Sequence, residues 1–249
     1  MALFLAISPS ARAALYDEIQ VYDDAINKVG EFGLELHANT TPSGRGTPDY
    51  PGEFVPVHGQ RLTPEFSYGV SETLEAGLYL PLLKDPTDGL QFAGPKLRLK
   101  WIPYHPGEGE SDWFYGLNGE LAYVGSRFEP SREGFELRPI IGYRSPEWLV
   151  VGNPVLAFDL SPGFRGGGPD FSPSLKVTRH VTRGLEAGFE YYRDLGKLWN
   201  IAPSAEQQQT VYAVIDVERA PWIFNLGIGR GLNAATDRWT VKAIFEIPL

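Results

Sequence analysis

The sequence contains no cysteine, which excludes disulfide frameworks, thiolate metal sites and cysteine nucleophiles together. It also lacks any run of about 18 consecutive apolar residues, the length a helix needs to cross a bilayer. Cations are in the minority: 22 Lys and Arg against 31 Asp and Glu leave a formal net charge of −9. That balance disfavours a nucleic-acid partner. Helical periodicity is nearly missing as well; only residues 15–28 carry enough of it to suggest a short helix.

What is present is strand-like. Hydrophobic residues make up 43% of the 249 positions and aromatics 13%, a mixture that suits a sheet in which every second residue faces an apolar medium. The 28 glycines and 21 prolines are spread along the chain as punctuation between short strands rather than gathered into a linker. A single all-β domain routinely uses this length. Leu74-Glu75-Ala76-Gly77-Leu78-Tyr79-Leu80 alternates with period two, and so does Lys96-Leu97-Arg98-Leu99-Lys100-Trp101. Trp239, Val241, Ala243, Phe245, Ile247 and Leu249 share one face, opposite Thr240, Lys242 and Glu246.

About twelve such runs can be placed, at residues 30–41, 61–70, 73–82, 90–102, 113–124, 133–143, 147–160, 171–181, 184–194, 207–217, 221–231 and 237–249. The even number fits a closed, antiparallel, up-and-down transmembrane β-barrel. If the N-terminus starts in the periplasm, the outer connections include the long stretches 42–60, 125–132, 161–170 and 196–206. Most inner ones are tight, as at Arg144-Ser145-Pro146 and Val181-Thr182-Arg183. Residues 103–112 are long for an inner turn, and residues 232–236 short for an outer loop. The turn-plus-strand pattern Leu74-Glu75-Ala76-Gly77-Leu78 returns in Leu185-Glu186-Ala187-Gly188-Phe189, a repeated hairpin.

In this register Trp101, Trp113, Trp148 and Trp222 all fall at the periplasmic rim, with Tyr68 and Tyr143. Phe92, Tyr123, Phe135, Phe158, Phe171, Tyr191 and Trp239 fall at the other. Two aromatic girdles are the signature of a barrel in a bilayer. At the N-terminus, an apolar run at residues 3–7 and the small residues Ser10-Ala11-Arg12-Ala13-Ala14 resemble the end of a secretory signal with cleavage after Ala13. Residues 1–13 are therefore expected to be a signal remnant, 14–29 a periplasmic segment and 30–249 the barrel. The final strand, Phe245-Glu246-Ile247-Pro248-Leu249, keeps its alternation to an apolar end, although Leu stands where such barrels usually carry an aromatic residue.

With these features the chain resembles the family of outer-membrane barrels that includes the MetA-type proteins of phenol-degradation clusters. The resemblance spans residues 30–249 and rests on pattern rather than on an invariant motif. It implies a transport or pore role and brings no catalytic residues.

The expected inward face is rich in charge: Lys96, Arg98, Lys100, Arg138, Lys176 and Lys242, against Glu75, Glu120, Glu136, Asp159, Glu186, Glu190, Asp216 and Glu246. Lys96, Arg98 and Lys100 form a basic ladder expected to face Glu120 and Glu136 on the following strands. Such a lumen is either a narrow polar pore or a salt-bridged filling. Catalytic signals are weak. Glu186 and Glu190 lie ~13 Å apart along a strand, too far for a glycosidase pair. His180 stands alone, and His37, His58 and His105 sit on separate elements without ligand spacing. Gly227-Ile228-Gly229-Arg230-Gly231 lacks the helix that a dinucleotide loop requires, and Gly166-Gly167-Gly168 lacks the lysine of a phosphate loop. No catalytic, cofactor or metal residue is expected. The partners expected are outer-membrane lipid and a small solute, and the expected function is a pore or passive transporter. The alternatives are an outer-membrane enzyme acting on lipid or peptide, and a soluble periplasmic β-sandwich or lipocalin-like binder.

Overall fold

A computed structural model describes residues 18–85, 89–107 and 109–248; the expected signal remnant and Leu249 lie outside them. Sixteen β-segments follow one another: β1 Phe32–Ser43, β2 Gln60–Ser71, β3 Leu74–Tyr79, β4 Leu82–Asp85, β5 Gly89–Phe92, β6 Lys96–Tyr104, β7 Asp112–Tyr123, β8 Glu133–Arg144, β9 Trp148–Asp159, β10 Asp170–Thr182, β11 Leu185–Arg193, β12 Gly196–Lys197, β13 Asn200–Ile201, β14 Gln209–Arg219, β15 Trp222–Gly231 and β16 Trp239–Pro248. They make twelve wall strands. β3 and β4 are one strand interrupted at Leu80-Pro81, and β5 and β6 are one interrupted at Ala93-Gly94-Pro95, because proline cannot donate to the ladder. β12 and β13 form a small hairpin in an outer loop, leaning on Asp170 of β10.

Each wall strand pairs antiparallel with its neighbours in sequence. The sheet then closes on itself, β1 running antiparallel to β16 from Gly33 opposite Pro248 to Thr40 opposite Val241. Closure leaves no open sheet edge, the condition for placing strands in hydrocarbon. Alternation sorts the side chains: Leu97 and Leu99 are 58% and 57% exposed, whereas Lys96, Arg98 and Lys100 between and beside them are 8%, 3% and 5% exposed. Leu117, Leu121, Ile141, Leu226, Ile228 and Val241 are likewise exposed, with Trp101, Trp113, Trp148 and Trp222 near one rim and Phe92, Tyr123 and Trp239 near the other. An aliphatic band between aromatic rims on a closed barrel defines a transmembrane barrel of the outer-membrane type.

The buried apolar residues lie inside this ring, not between two sheets, so the β-sandwich alternative does not hold. One cluster joins Ile102, Phe114, Ile140, Leu149 and Val151 of the wall to Val21 and Tyr22. A second, at the outer mouth, packs Phe54 of the first loop on Leu83, Ala93 and Val124. The described part of the segment expected to be helical, residues 18–28, contains no helix. Nor does it hang below the barrel as a periplasmic segment: it runs through the lumen in an extended form.

Candidate functional site

The lumen is organised around residues 18–28, which are fastened to the wall by side chains. Asn153 binds the backbone of Tyr22 twice, accepting from its N–H at 2.8 Å and donating to its carbonyl at 3.0 Å. Arg138 donates to the Gln20 carbonyl at 3.2 Å and to Glu18 at 3.3 Å. Lys242 donates to the Ile19 carbonyl at 2.9 Å, Lys100 to the Ala25 carbonyl at 2.6 Å, and the Asn27 N–H to Glu75 at 2.7 Å. Arg144 pairs with Asp24, and the Tyr22 hydroxyl meets that of Tyr79. Gly69 lets the segment in: a Cβ there would lie 2.0 Å from the Lys28 carbonyl oxygen.

Tyr22 is the centre of this assembly. Arg138, Lys100 and Arg98 place their charges 4.4, 5.2 and 5.6 Å from its ring centroid. Cation–π contacts of this kind contribute more when desolvated, about 2 kcal/mol or above, and here all three cations are buried.

The inward residues expected from alternation are buried or half-buried within the ring. Lys176 pairs with Asp216 at 3.0 Å, Lys242 with Glu190 at 2.5 Å and Arg138 with Glu136 at 2.6 Å. Glu186 contacts His180 at 3.1 Å and accepts from Thr178 at 2.6 Å. The ladder's expected partners need correcting. Arg98 lies directly opposite Glu120 in the register, yet its guanidinium turns the other way, to Glu65 at 2.7 Å and Glu75 at 2.5 Å. Two carboxylates hold a planar, multi-donor cation better than one, and Glu120 accepts instead from Asn118 at 2.7 Å. Lys100 serves the inner segment rather than Glu120 or Glu136. Lys96, between the two readings, lines the outer chamber beside both acids. The glycine run of β15 makes room for inward side chains: Lys242 occupies the space beside Gly227 and Tyr212 that beside Gly229.

Chambers flank the segment. Toward the outer mouth lies a cavity of about 660 Å³ lined by Lys96, Glu120, Glu136, Ala157, Asp159 and Lys197. A smaller space of about 120 Å³ continues it down to Glu18, Gln20 and Arg138. On the periplasmic side a cavity of about 260 Å³ is bounded by Tyr22, Asp23, Glu35, Glu75, Lys176 and Glu246.

One grouping is absent from the sequence reading. Glu35 and His37 alternate on the inner face of β1, and Glu65 stands opposite Glu35 on β2. Their ligand atoms lie within 4.8 Å of one another. The sequence signal for it is a His two residues from a Glu on an inward-facing strand, Glu35 and His37.

No protein-family model and no curated protein matches the sequence. Solved structures do. An outer-membrane channel from Pseudomonas putida F1 aligns with a TM-score of 0.62 at 12% identity, over 93% of this chain and 100% of that one. LpxR from Salmonella typhimurium aligns at 0.46 and 10% identity over 86% and 99% of the two chains. OprD from Pseudomonas aeruginosa aligns at 0.43 and 13% identity over 87% and 66%. The similarity to the Pseudomonas putida channel is one of fold: both chains form outer-membrane β-barrels.

Proposed function

We propose that this protein is a pore or passive transporter for small molecules in the bacterial outer membrane, closed in this conformation by residues 18–28. One observation carries the reading: chambers with charged side chains in their walls lie on both sides of a segment that is pinned by side chains rather than woven into the sheet. Displacing it joins the chambers into a single passage. Acids outnumber cations along that route, with Glu35, Glu75, Glu186, Asp216 and Glu246 on the periplasmic side and Glu120, Glu136, Asp159, Asp170 and Glu206 on the outer side. A channel with such walls favours small cations over anions. The inward charges expected from the sequence, Lys96 to Lys242, are on this reading the lining of the solute path. Resemblance to the MetA-type barrels supports the same class, and on this reading the chain carries solutes and catalyses no reaction.

Liposome swelling tests it. A form lacking residues 18–28, shown to be folded by heat-modifiable migration on a gel, admits small neutral and cationic solutes faster than the intact chain, and more slowly as solute size grows. Equal swelling for both forms, or leakage independent of solute size, would contradict the proposal.

A further inference from the structure

We infer that the lumen contains a binding site for a divalent transition-metal ion, formed by His37, Glu35 and Glu65. The donor set is one imidazole and two carboxylates, which suits zinc and its neighbours in the first transition row. The spacing also fits. Around a tetrahedral ion with bonds of ~2.0–2.2 Å, ligand atoms sit about 3.4 Å from one another. His37 Nε2 lies 3.1 Å from Glu65 Oε2 and 3.7 Å from Glu35 Oε2, so an ion enters between them with small side-chain movements. The three residues sit on adjacent, hydrogen-bonded strands, Glu35 directly opposite Glu65, which fixes the site before any ion arrives.

Charge argues in the same direction. Carboxylates crowd this part of the lumen: Glu246 and Glu65 stand opposite Glu35 on the two flanking strands, and Glu75 shares Arg98 with Glu65. Arg98 is divided between Glu65 and Glu75, and Lys100 is spent on a carbonyl. A divalent ion among Glu35, His37 and Glu65 would offset the mutual repulsion of these carboxylates. His37 and Glu65 are 1% exposed, and buried like charges without compensation are costly. Nε2 of His37 faces the carboxylates and is the nitrogen placed to bind an ion, while Nδ1 has no hydrogen-bond partner among the described residues. Glu35 borders the periplasmic chamber, which supplies the path of entry.

The site stands independently of the transport proposal. The rival account is a protonated His37 bridging two carboxylates with no ion. Isothermal titration with Zn²⁺, on refolded protein stripped with EDTA and then freed of chelator, separates the two. The expected result is one Zn²⁺ per chain and a rise in the thermal midpoint. His37→Ala and Glu35→Gln weaken binding at least tenfold, while exposed His105→Ala leaves it unchanged. Glu35→Gln keeps the volume of the side chain and so guards against loss of fold in the histidine variant. Absence of saturable binding by the wild type, or equal affinity in His37→Ala, overturns the inference.

Discussion

At the scale of single residues, environment rather than identity decides behaviour. Asp194, just beyond β11 in an outer loop, is 5% exposed, and burial pushes its carboxyl pKa up to about 6, only partly offset by the Gly196 N–H that donates to it at 2.8 Å. In an unfolded chain the same group titrates near 4. The folded state therefore holds the proton more tightly. Its contribution to stability is full below pH ~4 and is lost as the pH rises through about 6. Asp194→Asn keeps an acceptor for Gly196 and removes the charge, so we expect its thermal midpoint to exceed that of the wild type at pH 7 and to lose this part of the slope between pH 4 and 6. Parallel pH curves for both proteins would exclude the effect. The inward set from Lys96 to Lys242 was legible because a strand has a strict period of two. The pairing was not: which neighbour Arg98 chooses depends on where carboxylates gather around it. Nor did the sequence reveal that Glu35, His37 and Glu65 meet, since that requires the register of two strands joined by a long loop.

At the scale of elements, strand positions are legible from alternation: residues 133–143 correspond to Glu133–Arg144 and residues 221–231 to Trp222–Gly231. The strand read as 73–82 runs on to Asp85 past Pro81, a break that ends a pattern in sequence but only kinks a wall strand in a barrel. One seam departs from the ladder. Between β8 and β9 the pairing holds at Leu137–Leu156 and resumes at Ile141–Gly152, and in the gap Pro139 faces Pro154. Two prolines opposite one another supply no N–H to either carbonyl, at mid-strand depth, where lipid offers no substitute. Behind this gap Arg138 and Asn153 hold residues 20–22. Pro154→Val returns one donor at a lipid-facing site and is expected to stabilise the barrel by about 1 kcal/mol. Urea unfolding in lipid vesicles measures this; an unchanged or lower midpoint would show that the seam is not a weak point of the wall.

At the scale of the whole molecule, the even strand count, the alternation and the aromatic rims together announced a closed barrel, and the pairing of β1 with β16 completes it. The filled lumen was not legible. Ile19, Tyr22 and Ile26 are spaced as on a helix, and nothing in the local sequence says that wall side chains will instead satisfy the backbone of an extended segment. That segment makes the central claim testable: a passage with charged walls, interrupted by a removable segment of its own chain. Single-channel recording in planar bilayers tests it most directly, comparing the intact chain with a folded form lacking residues 18–28. The account predicts small or infrequent steps for the intact chain, and larger, steady, cation-selective conductance once the segment is gone. No increase in conductance from a demonstrably folded barrel without the segment would contradict it.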